Sequence, residues 1–209
     1  QRRVVREVPA GRHVRGVALG GEGQARVGAQ RRQAHRGALV VRQAEERAQR
    51  RVDAERRLRD WGRRSGVRIS VLRAPGIYSA ERLPLQRLRE GTPALQADED
   101  AYTNHVHADD LARMAVSALS FGMSGRMYNA SDDSVLKMGD YFDAAAQLYG
   151  LEKPKRISRA QAQSELPSML LSFMSESRRM LNQRMKRELR LSLKYPHVRT
   201  GLIHLRLST

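Results

Sequence analysis

No aromatic residue appears in this chain before Trp61, and residues 1–50 are written with nine residue types: Gln, Arg, Val, Glu, Pro, Ala, Gly, His and Leu. A stretch so poor in large apolar side chains cannot bury enough surface to offset the entropy of ordering its backbone. Gly16, Gly20, Gly21, Gly23 and Gly28 interrupt any helix or strand there. Residues 1–43 are therefore expected to be a disordered Arg/Gly-rich segment, with Ala38–Val41 its one candidate strand. From about Ala44 the alphabet widens, and residues 44–209 are expected to form one folded domain.

Charge and residue usage narrow the class. The net charge is +17; twelve Arg against four Glu in residues 1–50 contribute +8, and 27 basic against 18 acidic residues in the remainder contribute +9. This balance suits non-specific polyanion binding. With no Cys, disulfides and thiolate metal sites are excluded. No apolar run is long enough to span a bilayer, and no secretory leader is evident, so a cytoplasmic address is expected.

Local signals set the elements. Residues 44–64 read as a helix with acid-first pairs Glu46→Arg50, Asp53→Arg57 and Glu55→Arg59, an Ala54/Leu58/Trp61 stripe, and Gly62 and Gly66 as stops. Val67–Arg73 is β-branched and nearly continuous, as for a strand covered on both faces. Pro84 opens a short helix through Arg89, and residues 91–103 read as a loop leading to a short strand at Tyr102-Thr103. Asp109 reads as the N-cap of a helix to about Ser120, with Leu111, Met114, Ala115, Ala118 and Leu119 inward. Met127–Ala130 reads as a strand. Met138–Tyr149 reads as a helix stopped by Gly150. Ser158 with Gln161 makes a capping box, Asn182 caps a helix through Leu189, and Lys194-Tyr195-Pro196 opens the tail. The run Met169–Met174 reads as core or a subunit contact. The alternation of helices and strands predicts an α/β domain.

Five segments then occur in a familiar order: Asp53–Gly62 (DAERRLRDWG), Val71–Tyr78 (VLRAPGIY), Asn104–Ala115 (NHVHADDLARMA), Tyr128–Asp133 (YNASDD) and Leu181–Leu202. Together they resemble the C-terminal half of the NAD(P)-dependent epimerase/dehydratase family, the extended or atypical branch of the short-chain dehydrogenases. The resemblance spans residues 44–205. It implies an incomplete Rossmann-like parallel sheet with a small C-terminal substrate-binding lobe, NAD or NADP as cofactor, and a small-molecule substrate. In that family the nucleotide rests on a first βαβ unit over a Gly-rich turn, and a Tyr-x-x-x-Lys pair exchanges the proton while hydride moves to or from the nicotinamide.

This sequence departs from that pattern at both places. Gly16–Gly23 (GVALGGEG) follows no apolar strand and has no acidic residue at the expected interval. Aligning Glu55 with the family's glutamate puts Arg47 where the Tyr stands and Arg51 where the Lys stands. A guanidinium stays protonated to above about pH 12, so no catalytic pair is expected. Tyr149 and Lys153 match as a string, but Gly150 and Pro154 break the helix between them. By resemblance, Ala74, Pro75 and Gly76 pass the cofactor. Asn104 and His107 are candidate linings of a substrate cleft, and the cation Arg82 is a candidate contact to an anionic substrate. His105, His107 and Asp109 share one face of an extended segment but have no fourth ligand, so no metal is expected.

Three functions stay open at this point. One is an epimerase/dehydratase-like oxidoreductase in truncated or inactive form. Another is a basic, non-specific nucleic-acid-binding protein, and the third is a non-catalytic regulatory relative. An unpaired sheet edge also points to homo-oligomers. The Arg/Ala/Gly/Val alphabet of residues 1–43 is further consistent with an out-of-frame reading of the missing βαβ units.

Overall fold

The computed structural model describes residue 42, residues 45–174 and residues 176–208. The Gly16–Gly23 stretch, the expected disorder of residues 1–43 and the candidate strand Ala38–Val41 lie outside the described residues.

Helix α1 covers residues 45–65. The expected Glu46–Arg50 pair forms at 3.6 Å, but Asp53 pairs with Arg56 at 2.8 Å, and Glu55 turns away from Arg59 to reach Arg73. The helix does not stop at Gly62. It runs three residues further because Gly62 lies against the next segment, where a Cβ would stand 2.6 Å from Ile69 Cγ1. The stop is Gly66, at φ +72°, a left-handed conformation that glycine adopts without strain. The Ala54/Leu58/Trp61 stripe faces outward.

Strand β1 (Val71–Arg73) pairs in parallel with β6 (Met127–Asn129), and β2 (Gly76–Tyr78) pairs in parallel with β5 (His105–His107). No residue of 67–73 is fully buried, against the expectation of a strand covered on both faces. The reason is topological: among the described residues β1 has β6 as its one strand neighbour. Helix α3 (Ala108–Phe121) packs behind β5. Its N-cap is His107, not Asp109; His107 Nδ1 accepts from Asp109 N at 3.1 Å. Of its expected apolar face Met114 is buried, whereas Ala115 and Leu119 are exposed. Val106, Met114, Tyr128, Ala130, Met185 and Leu189 form the core of this sheet region.

The rest of the chain forms the lobe. Helix α2 (Leu85–Arg89) follows a 3-10 turn at Ala80–Arg82, with Pro84 ahead of it as expected. Strand β3 (Ala94–Leu95), inside the expected loop, pairs in parallel with β8 (Arg156–Ile157), and β4 (Tyr102–Thr103) pairs antiparallel with β7 (Leu136–Lys137). Helix α4 (Met138–Tyr149) ends at Gly150, φ +63°, as the sequence predicts. Helix α5 (Arg159–Glu165) starts with both halves of the Ser158/Gln161 capping box. In α6 (Ser168–Met174), Leu171 and Met174 enter a core with Leu95, Ile157, Ala162 and Leu166.

Helix α7 (Gln183–Glu188) follows Asn182, whose side chain makes no cap. Its amide donates instead to Ser131 O at 2.8 Å, Asp132 O at 3.1 Å and Asp133 Oδ1 at 2.8 Å, tying the β6–β7 loop in place. The tail carries helix α8 (Val198–Leu207), which the sequence reading left without structure. It packs on α4 through Val198, Leu202 and Leu205, against Tyr141, Phe142, Ala145 and Ala146.

Candidate functional site

In an open parallel sheet, ligands sit beyond the C-terminal ends of the strands. Here that rim is built where β1 ends at Arg73 and the chain turns through Ala74 and Pro75 into β2. Ala130 N donates to Arg73 O at 3.0 Å, and Gly76 N donates to Asn104 O at 3.1 Å. The rim therefore holds Ala74, Pro75, Gly76, Asn104 and Asn129 together, although they come from three separate segments. A Cβ on Gly76 would stand 3.1 Å from His105 Cδ2 and 3.2 Å from Asn104 O, so the close strand approach itself favours glycine.

A strap over residues 176–181 crosses this rim. Asn104 Nδ2 donates to Arg178 O at 2.9 Å, and Met180 N donates to Asn104 Oδ1 at 2.8 Å. Asn129 Nδ2 donates to Leu181 O at 3.0 Å, and Arg178 N donates to Tyr102 O at 3.1 Å. Both ends of the Asn104 amide are thus engaged by the strap's main chain.

Two ion pairs bring α1 to the same rim. Arg47 donates to Ser172 Oγ at 2.5 Å and to Glu176 Oε1 at 2.9 Å, and its guanidinium lies over the Phe173 ring. Glu176 also receives Arg178. Arg73 grips Glu55 with two bonds, at 2.8 and 2.6 Å. The Arg73 hydrogen bond holds the Glu55 carboxyl below its usual range, against the opposing effect of partial burial. Arg51 is exposed on α1, and Arg82 is exposed in the 3-10 turn.

Beneath the rim lies a buried aromatic and polar layer. The imidazoles of His105 and His107 flank the Tyr78 ring; His105 stacks near Tyr141 at 4.1 Å between centroids, and His107 near Tyr195 at 4.0 Å. Burial pushes His105 down to about 4, so it is neutral at pH 7. Burial likewise holds His107 below the usual range, with Asp109 and Asp110 opposing. Asp110 is buried and accepts from Tyr195 N at 2.8 Å, Lys194 N at 3.0 Å and Arg113 at 2.7 Å.

Asp132, also buried, accepts from Ser134 N at 2.9 Å. Burial pushes its carboxyl up to about 7, and the Ser134 hydrogen bonds offset part of that rise. Burial, then the nearby Asp132 charge, raises the Tyr78 phenol. A phenol so placed stays protonated at neutral pH. Among the described residues no group of three His, Asp or Glu side chains is arranged to hold a metal ion. No described helix is long and apolar enough to cross a membrane.

Of the residues singled out in the sequence, the fold brings Ala74–Gly76 and Asn104 together at the rim, sets His107 in the buried layer and leaves Arg82 exposed in the 3-10 turn. Sequence reasoning missed Asn129, the strap and the inward turns of Arg47 and Glu55. Their partners lie 18 to 129 residues away, beyond any local pattern.

Neither a protein-family model nor a curated protein sequence matches the chain. Solved structures do. A functionally unknown conserved protein from Silicibacter pomeroyi is 31% identical, with a TM-score of 0.59 over 66% of this chain and 48% of its own. A nucleoside-diphosphate-sugar epimerase from Pseudomonas aeruginosa gives a TM-score of 0.59 at 18% identity, over 75% of this chain and 53% of its own. A human epimerase family protein solved with NADPH gives 0.56 at 14% identity, over 68% and 49%. The chain thus has the Rossmann-like fold of NAD(P)-dependent epimerases and dehydratases, and it spans about half the length of these structures.

Proposed function

We propose that this chain is the substrate-side half of an NAD(P)-dependent epimerase/dehydratase-like oxidoreductase and that, taken alone, it is not a catalyst. Its fold matches enzymes of that kind, one of them solved with NADPH and another described as acting on nucleoside-diphosphate sugars. The substrate class we assign is accordingly a small or nucleotide-linked carbonyl or alcohol.

The observation that carries the reading is Arg47. It occupies the position where the family resemblance sets the proton-exchanging Tyr, and it is held by Ser172 and Glu176 as a structural tie. A guanidinium cannot release a proton near neutrality.

The described residues fit only part of a dinucleotide. Ala74, Pro75 and Gly76 line the rim where a nicotinamide would pass. No described strand leads through a Gly-rich turn into a helix N-terminus, the element that grips the pyrophosphate. We therefore derive no hydride or proton step from these residues. Asn104 and His107 act here by positioning, Asn104 holding the strap and His107 capping α3. Arg82 is the exposed cation assigned to an anionic part of the substrate.

A fluorescence titration of the full chain with NADPH tests the reading. The expected result is no saturable binding at micromolar cofactor; micromolar affinity would overturn it. A second function, non-specific polyanion binding, draws on an open cleft of about 470 Å³ lined by Arg56, Arg59 and Arg63. Asp60 lines the same cleft and pairs with Arg63, which weakens that reading. Salt-sensitive filter binding of DNA without sequence preference is its expected signature.

A further inference from the structure

We infer that residues 176–181 form a lid over the rim, which opens as one unit between two fixed ends and is latched shut by the Glu176 carboxylate against Arg47. The inference goes beyond the functional reading and stands whether or not this chain binds a cofactor.

Both ends of the strap lead into cores. On one side Met174 is 1% exposed and packs with Leu95, Ile157 and Leu171. On the other, Asn182 is 4% exposed and Met185 is buried in the core of Val106, Met114 and Tyr128. Along 176–181 itself no side chain is buried: Ser177, Arg178, Arg179 and Leu181 are exposed, and Glu176 and Met180 are half-buried. Lifting the strap therefore leaves the cores intact.

Most of the fastening is polar and open to water. Besides the three bonds to the Asn104 and Asn129 amides, Arg178 N donates to Tyr102 O and Tyr102 N donates to Ser177 Oγ, both at 3.1 Å. Each of these groups exchanges a protein partner for water when the strap lifts, so the net loss per bond is small. A segment with few buried apolar contacts and many water-accessible backbone bonds lies at the low-stability end of a fold, where local opening precedes global unfolding.

The latch is the tie that water replaces least well. Arg47 is held from the side of α6, by Ser172 Oγ at 2.5 Å and by the Phe173 ring at 4.6 Å, so it stays in place when the strap moves. Glu176 is the moving half. One of its carboxylate oxygens accepts from Arg47 at 2.9 Å, and the other accepts from Arg178 of the strap itself. The Arg47 and Glu176 side chains are only 25% and 18% exposed, so their attraction is less screened than that of a pair on the open surface. Separating them strands a part-buried guanidinium, a costly state. Opening frees both ends of the Asn104 amide, the Asn129 amide and the Tyr102 main chain at the rim. The lid thus decides whether those groups meet the strap or a molecule arriving there.

Hydrogen exchange of the full 209-residue chain is the test. The reporters are the Arg178 and Met180 amides of the strap and the Ala146 amide of α4. The strap amides should exchange about a hundredfold or more faster than Ala146, at a rate that about 1 M urea barely changes, because lid opening exposes little surface. Leu202→Ala should speed Ala146 and leave the strap amides unchanged, since the lobe core is the same with the lid open or shut. Glu176→Gln should speed the strap amides by about tenfold and Arg47→Gln by a similar factor, with the double variant no faster than either alone.

Strap amides that follow Ala146 through urea or through Leu202→Ala overturn the inference. A Met180 amide exchanging as fast as an unstructured peptide overturns it too, for then there is no closed state. So does Glu176→Gln without effect, or two single variants whose effects multiply in the double. Where Leu202→Ala or Arg47→Gln does not fold, the urea dependence of the unaltered chain and Glu176→Gln decide the matter. NADPH bound at micromolar affinity by this chain sinks the functional reading and leaves the lid standing.

Discussion

The α4–α8 side of the lobe and the α1–β1 side of the sheet are held together by different forces. In the lobe, Ala145, Ala146, Val198 and Leu202 are almost wholly removed from water and pack on one another and on Tyr78 of β2. Around α1 and β1, ion pairs tie the elements, Glu55 with Arg73 and Arg47 with Glu176, while Leu58 and Trp61 of α1 and Leu119 of α3 face outward. Apolar burial is worth roughly 25 cal/mol per Å² and needs no exact partner geometry. Part-exposed ion pairs are worth about 1 kcal/mol or less each. The α4–α8 side is thus held by apolar burial, whereas the α1–β1 edge, beside the Val106–Met185 core, relies more on ion pairs.

That contrast is sharpest in a core truncation. Leu202→Ala should cost about 2–5 kcal/mol, read as a lowered midpoint in urea unfolding. A loss under about 1 kcal/mol would mean the lobe core is looser than its burial implies. Next in size is Asp110→Ala, which strips the acceptor from Lys194 N and Tyr195 N and should cost about 1–3 kcal/mol. It should free the segment ahead of α8, seen as faster amide exchange at Tyr195.

Asp132 gives the pH signature of the same layer. Its folded pKa, about 7, lies above the unfolded carboxylate value of about 4, so the folded state binds the extra proton between them. Its contribution is fully present below about pH 4 and is lost as pH rises through about 7. His105 works the other way: its folded pKa of about 4 lies below the unfolded value of about 6.5, so stability rises across that interval. Asp132→Asn should therefore remove the falling part and stabilise the protein at pH 7 relative to pH 4 by about 1–3 kcal/mol, measured by melting at both pH values. An unchanged pH profile in this variant rules the assignment out.

On the sheet side the effects are smaller. Glu55→Gln should cost at most about 1 kcal/mol, because Arg73 is partly solvated. The Glu55 contribution is present above the unfolded carboxylate pKa and disappears as pH falls through the lowered folded one. Smallest of all, Leu119→Ser should shift unfolding of the isolated chain by within about 0.5 kcal/mol, as for an ordinary surface position. A loss comparable to Leu202→Ala would erase the distinction between the two regions.

The sequence spoke clearly wherever structure is local. Met138–Tyr149, the Gly150 stop and the Ser158/Gln161 box follow from contacts within five residues, and all three formed as written. Gly62 misled because its role is to let Ile69 close in, a contact with the following segment. Helix α8 was hidden by Gly201, which weakens a helical pattern; it stands there because the Tyr78 ring leaves no space for a Cβ, at 2.7 Å from Cε2. Two-residue strands such as β3 and β8 carry no periodicity at all. At the rim, the VLRAPG turn was legible as a strand end. The Asn104 grip on residues 178–180 was not, since nothing within Asn104's own neighbourhood announces a partner 74 residues on.

The manner of that grip has an evolutionary corollary. Asn104 and Asn129 hold the strap by its peptide groups, so the side chains at 179–181 are not what fastens it. Substitution there leaves the main-chain clasp in place and gives up only the contact of the Arg179 guanidinium with the Tyr102 ring.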